Sequence, residues 1–169
     1  VPNAPSLIEL SPDNTRPMDN PDAQLPVSSM REIALQMLKK KESKTVQRSK
    51  EYGIAMQLNR IGTFSDYIFL DISYFNSTNL AYHIDEFRLF IEDKKIIKAN
   101  NFQSTEIIPV WKLKELKNFK NKQRNIYVIK KAVFPGNKVL KLSLSEKQIS
   151  GRMLELKVSY KDILQAESL

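Results

Sequence analysis

His83 is the one imidazole in the chain, and it stands in Tyr82-His83-Ile84-Asp85-Glu86. A Ser-His-Asp relay needs a base, an orienting acid and an exposed nucleophile. Asp85, two residues on, would share a strand face with His83. No nucleophile-elbow glycine pattern accompanies a serine, so His83 reads as a structural or surface side chain. Glu92-Asp93 precedes Lys94-Lys95 and reads as a charged hairpin tip rather than as a working acid–base pair. The absence of Cys excludes disulfides, thiolate metal sites and a cysteine nucleophile. A single His excludes a multi-histidine centre, and four Gly leave little room for a phosphate-cradling loop. No loop is acidic enough for an oxygen cage around a hard cation. No catalytic centre, metal or cofactor is therefore expected.

The positive charge is concentrated and needs a reading of its own. Lys plus Arg is 27 and Asp plus Glu is 19, a formal net charge of +8. Residues 112–124 hold Lys112, Lys114, Lys117, Lys120, Lys122 and Arg124 against Glu115, or +5. Phe119 interleaves this stretch and Trp111 stands at its edge. Three readings stay open. Basic side chains with aromatics can follow a nucleic-acid backbone and stack bases. The same surface can meet an acidic protein partner. It can also be an inert solvated loop. No RNP, helix-turn-helix or zinc motif supports nucleic acid.

The elements that must position these residues follow from hydrophobic period. In residues 67–75, Ile68, Leu70, Ile72 and Tyr74 alternate with Asp71 and Ser73. Residues 86–92, 138–144 and 154–160 alternate likewise, through Phe87, Leu89 and Ile91, then Leu140, Leu142 and Leu144, then Leu154, Leu156 and Val158. These predict half-buried strands with one wet face. Weaker strand patterns cover 52–58, 79–83, 104–111 and 125–134. Breaks fall at Asn76–Asn79, Glu92–Lys95, Pro135–Asn137 and Ser150-Gly151. No helical period separates the strands, which disfavours βαβ units. The prediction is mainly β: one antiparallel immunoglobulin-like β-sandwich over residues 51–169, with a closed barrel as the alternative. The even-numbered apolar residues named above should share one core.

Upstream the composition changes. Pro2, Pro5, Pro12, Pro17, Pro21 and Pro26 crowd residues 1–28, which net −3 and read as an extended acidic tail or linker. The short run Leu7-Ile8-Glu9-Leu10 is its candidate docking segment, as an edge strand. The tail and the basic stretch carry opposite charge. Residues 29–42 carry Met30, Ile33, Ala34, Met37 and Leu38 on one helical stripe, with Ser29 and Glu32 at capping-box spacing. That stripe can dock on its own chain or on a partner. The basic stretch up to Lys50 reads as a connection, making 29–50 a helix-plus-connection segment. No run of about 18 apolar residues spans a bilayer, and no signal-peptide pattern opens the chain. The start at Val1 rather than Met is the pattern of a mature or trimmed form. An apolar content of 41% excludes wholesale disorder. A chain of this length can bury about 70% of its unfolded surface.

Several short segments agree in order and spacing with a known family. They are Tyr52-Gly53-Ile54, Asn76-Ser77-Thr78-Asn79-Leu80-Ala81-Tyr82-His83-Ile84-Asp85, Asp93-Lys94-Lys95, Lys98-Ala99, Phe134-Pro135-Gly136-Asn137-Lys138 and Glu146-Lys147-Gln148-Ile149-Ser150-Gly151-Arg152. Together they make residues 29–169 resemble the conjugative transposon TraN family of Bacteroidetes. Ala81 stands where that family usually has Pro, Ser150 where it has the first Gly of Gly-Gly-Arg, and Met153 where it has His. The resemblance implies a non-enzymatic assembly component of a conjugative, type IV secretion-like DNA-transfer apparatus. It implies the C-terminal domain of a longer protein, located in the periplasm or at the outer membrane. It also implies partners among the outer-membrane-ring and channel subunits, reached through contacts of the β-sandwich. Exposed sheet edges suit such contacts by strand addition.

Overall fold

The computed structural model describes residues 25–41, 44–94, 103–149 and 151–169. The acidic tail's first 24 residues and the Lys98-Ala99 segment lie outside them. Helix α1 spans Val27–Lys39. Strands follow as β1 (Gln47–Glu51), β2 (Ile54–Phe64), β3 (Tyr67–Asn76), β4 (Tyr82–Asp93), β5 (Ser104–Ile107), β6 (Trp111–Lys112), β7 (Asn118–Phe119), β8 (Lys122–Lys130), β9 (Lys138–Glu146) and β10 (Met153–Ser159). A single-turn helix α2 (Tyr160–Leu164) and β11 (Glu167–Ser168) end the chain.

The strands form two sheets and no closed barrel. One sheet runs β1-β2-β3-β8-β6, with β11 added alongside β2; the other runs β10-β9-β4-β5, with β7 on β4. All pairings are antiparallel except β11 on β2. The two sheets stack as the antiparallel sandwich expected from the alternation. Ile68, Leu70, Ile72, Leu140, Leu142, Leu144, Leu154 and Leu156 all sit in the one core between them. Lys141 is only part-exposed, and its ammonium lies 3.1 Å from the Glu92 carboxylate on the outer face of the second sheet.

The alternation misleads at β3. Its second face is not wet: Asp71 and Ser73 are as buried as their apolar neighbours. The reason is α1, which lies on the outside of the first sheet. Met30, Ala34 and Met37 pack on Tyr67, Phe69, Ile126 and Val128 and form a second core. The amphipathic stripe thus docks on its own chain. The helix starts at Val27 with Pro26 as its N-cap, and no side chain caps it. Pro26 instead accepts backbone bonds from Ser29 and Met30, both at 3.0 Å. Ser29 therefore lies inside the first turn, and the Ser29/Glu32 capping box does not form. Downstream, part of the polar stretch read as a connection is strand β1, an exposed edge paired along β2. Its polar composition suits an edge that faces water.

Local chemistry explains two further departures. Tyr160 extends the predicted last strand but begins α2, because Ser159 caps that helix. The Ser159 hydroxyl accepts from the Asp162 amide and the Asp162 carboxylate accepts from the Ser159 amide. At the other end, Tyr52 and Gly53 both have positive φ (56° and 74°), the two-residue turn favoured between twisted strands. A Cβ on Gly53 would stand 2.4 Å from Thr78 Cγ2, so glycine is required there twice over.

Leu156 is 3% exposed in the inter-sheet core. Leu156→Ala should destabilise the fold by about 2–5 kcal/mol. A urea titration with an unchanged m-value checks this; a shift under about 0.5 kcal/mol would show that the core closes elsewhere.

Candidate functional site

Residues 111–119 bridge the two sheets. The segment begins as β6 on the edge of the first sheet, with Val110 and Leu113 amides donating to Val128 and Ile126 carbonyls at 2.8 and 2.9 Å. The Asn125 side chain then acts as a surrogate backbone: its Oδ1 accepts from the Lys114 amide and its Nδ2 donates to the Lys114 carbonyl. The segment ends as β7 on β4 of the second sheet, and the Ile84 amide donates to the Lys117 carbonyl at 2.8 Å. Phe119 anchors this end. It is buried between Tyr74 and Tyr82, with ring centroids 5.6 and 5.2 Å away.

Between this bridge and the sheets lies an open cleft of about 720 Å³. Its apolar lining includes Ile84, Phe87, Ile108, Val110, Leu116 and Tyr127; Lys112, Lys114, Lys117 and Lys147 add positive charge. Phe87 stacks on Tyr127 at 4.3 Å. Tyr127 in turn shares a hydroxyl–hydroxyl bond of 2.8 Å with Tyr74. Burial raises both phenols above their ordinary value. Ile108 and Val110, 68% and 43% exposed, stand at the mouth. Lys112 is paired with Glu115 at 3.0 Å, and Asp85 adds one carboxylate.

The seven residues singled out in the sequence separate here. Trp111, Lys112, Lys114 and Lys117 line the cleft, whereas Lys120, Lys122 and Arg124 do not. Lys120 is exposed in the turn before β8. Lys122 lies 5.4 Å over the Phe75 ring. Arg124 holds the fold together. Its guanidinium grips the buried Asp71 carboxylate through Nε (2.8 Å) and a second nitrogen (2.5 Å), and reaches the Leu38 carbonyl at the end of α1. Arg60 meets the same helix end through the Met37 and Lys41 carbonyls. A bulge at Leu58/Arg60 turns it onto that face. Its Nε lies 2.8 Å from Glu167, close enough for an ion pair but out of line for a hydrogen bond. Two sheet arginines thus bond carbonyls at and just beyond the C-terminal end of the helix and complement its negative end.

Sequence reasoning missed the apolar half of the cleft. The available signal was Ile107-Ile108: adjacent residues of a strand cannot both face one core. Ile107 packs on the core and Ile108 is left outside.

His83 and Asp85 part company. A bulge between Ile84 and Glu86 breaks the alternation that would align them. His83 lines a second, shallower cleft with Leu80, Ala81, Glu146, Gln148, Gly151 and Arg152, while Asp85 lines the first. In the second cleft Arg152 binds Glu146 through two nitrogens (2.8 and 2.6 Å), donates to Thr78 and Ala81, and lies over the Tyr82 ring. Among the described residues no group of three His, Asp or Glu side chains is placed to hold a metal.

The geometry can be set beside known proteins. The model of a family described as a domain of unknown function, DUF4138, matches residues 28–168. The chain belongs to the DUF4138 family. No curated protein and no solved structure matches it. The DUF4138 match takes in α1 as well as both sheets. No described helix is long and apolar enough to cross a membrane.

Arg124→Ala would strand the Asp71 carboxylate in the second core, with Asn59 as its remaining side-chain donor. The expected cost is about 3–5 kcal/mol, read from thermal or urea unfolding; Lys120→Ala should move stability by less than about 0.5 kcal/mol. Glu146 gives a pH signature. Its bonds from Arg152 hold the carboxyl below the ordinary glutamate range. Its contribution is therefore complete above the ordinary value of about 4.3 and is lost as pH falls through the lower folded value. Glu146→Gln should lower the Tm at neutral pH, and the gap to the parent should close in acid. A gap constant with pH would show that the pair contributes nothing through charge.

Proposed function

We propose that this domain is a non-enzymatic assembly component of a conjugative, type IV secretion-like transfer apparatus in the cell envelope. In this reading it acts by holding a protein partner in the cleft between its sheets. The observation that carries the protein-docking part is the cleft itself: an apolar floor, exposed Ile108 and Val110 at its mouth, and a lysine-rich rim. An exposed apolar patch edged by polar groups is the ordinary mark of a docking site. The rim sets the sign of the partner, which is acidic around an apolar core. The transfer role rests on the likeness of the turn segments to the TraN family.

The same residues weigh on the nucleic-acid alternative. Stacking needs aromatic faces in solvent. Phe119 is in the core and Trp111 is half-buried with the Arg31 guanidinium 5.4 Å over its ring.

The test changes the mouth of the cleft and leaves the core alone. Ile108→Asp with Val110→Asp, in the donor strain, should lower conjugative transfer on the order of tenfold or more, the effect of losing about 1.4 kcal/mol of contact. The Tm of the purified domain should hold, since both residues are exposed. Transfer at the parental frequency by a stable double variant would overturn the proposal. Single-strand DNA binding lost on replacing Lys112, Lys114 and Lys117 by Gln, with transfer-protein contacts intact, would install the nucleic-acid reading instead.

A further inference from the structure

The cleft lies within reach of the chain's own N-terminal tail. The Leu25 amide donates to the Tyr67 hydroxyl at 3.3 Å. Leu25, Trp111 and Leu113 pack on the same helix–sheet cluster, and Trp111 lines the cleft. The chain upstream of Leu25 therefore starts from the helix-covered face of the first sheet, whose edge strand β6 carries Trp111. Leu10 lies fifteen positions before Leu25, and an extended chain of that length reaches up to about 50 Å.

The tail also has the composition that the cleft selects. Residues 1–24 carry Glu9, Asp13, Asp19 and Asp22 against Arg16. Their one apolar cluster is Leu7-Ile8-Glu9-Leu10, set between Pro5 and Pro12. The prolines favour an extended backbone and so reduce the entropy lost on docking. In an extended segment Ile8 and Leu10 point one way and Glu9 the other. The first pair suits the floor made by Phe87 and Tyr127 with Ile108 at the mouth, and the carboxylate suits Lys114 and Lys117.

We propose that the segment Leu7–Leu10 occupies this cleft in cis, as a tethered self-ligand that an incoming partner must displace. The proposal rests on reading the cleft as a protein-docking site. A tether of this length supplies an effective concentration of order millimolar, so a weak contact suffices to keep the cleft covered. Partner binding is then a competition in which the displaced tail sets a threshold for assembly.

Trp111 is the chain's one tryptophan and stands at the cleft's edge, so a segment docking there should change its emission. The test uses the full chain and a full-chain variant with Ile8→Asp and Leu10→Asp, both outside the described residues. The variant should show red-shifted Trp111 emission and stronger acrylamide quenching than the parent. A synthetic peptide of residues 1–24 should reverse both changes saturably in the variant, and added salt should weaken the reversal. The parent's emission should not depend on protein concentration. Identical emission and quenching in parent and variant, with no response to millimolar peptide, would overturn the proposal. So would a parental signal that disappears on dilution, since the occupant would then be a second copy. Neither failure touches the docking reading of the cleft, which the Ile108/Val110 transfer assay decides separately.

Discussion

β3 is buried along both of its faces, and the rest of the molecule is arranged around that requirement. A strand in the middle of a six-stranded sheet, apolar on both sides, needs a cover on each. The second sheet covers one side and α1 covers the other. Asp71 makes the demand sharper, because it places a carboxylate in the middle of the helix-covered face. A buried carboxylate is tolerable only with a partner, and Arg124 on the neighbouring strand supplies it. The same guanidinium, with that of Arg60, meets carbonyls at the C-terminal end of α1. One buried charge, its partner and the end of a helix are thus solved as a single problem.

The turns between strands are structural fasteners at the two ends of the sandwich. At one end the Ser77 amide and hydroxyl both donate to the Gly53 carbonyl, and Asn76 organises the loop through its bonds with Thr78 and Leu80. Arg152 then ties this loop to the β9–β10 hairpin, where a Cβ on Gly151 would meet the Glu146 carbonyl at 2.7 Å. At the other end the Lys94 amide donates to Asn137, and Lys138 pairs with Asp93 at 2.7 Å. The Arg88–Glu106 pair on the outer face of the second sheet joins exposed groups and contributes little beyond register. Fixing the two ends leaves the β5–β6 side as the place where the sheets stay apart. The bridge of residues 111–119 spans that gap without filling it, which is why a cleft exists there.

Much of this was legible in the residues themselves. Period-two alternation placed the inward face of β3, β9 and β10 because core burial enforces it residue by residue. The stripe Met30, Ala34, Met37 marked a helix that had to be covered by something. The concentration of lysines at 112–124 marked an unusual surface, and four of the seven residues named there do line the cleft.

What only the tertiary structure decided follows from contacts that no local pattern encodes. Whether Asp71 faces water or a helix depends on where α1 docks, and alternation is blind to a second cover. Bulges at Leu58/Arg60 and Ile84/Glu86 insert one residue and reassign faces downstream, so Arg60 turns to the helix while His83 and Asp85 separate. Arg124 and Lys117 look alike in a charge count, yet one is held by a buried carboxylate and the other lies on an open rim. Local period determined which side chains must be buried from water. Long-range packing determined what buries them, and so which of the remaining charges are left to act.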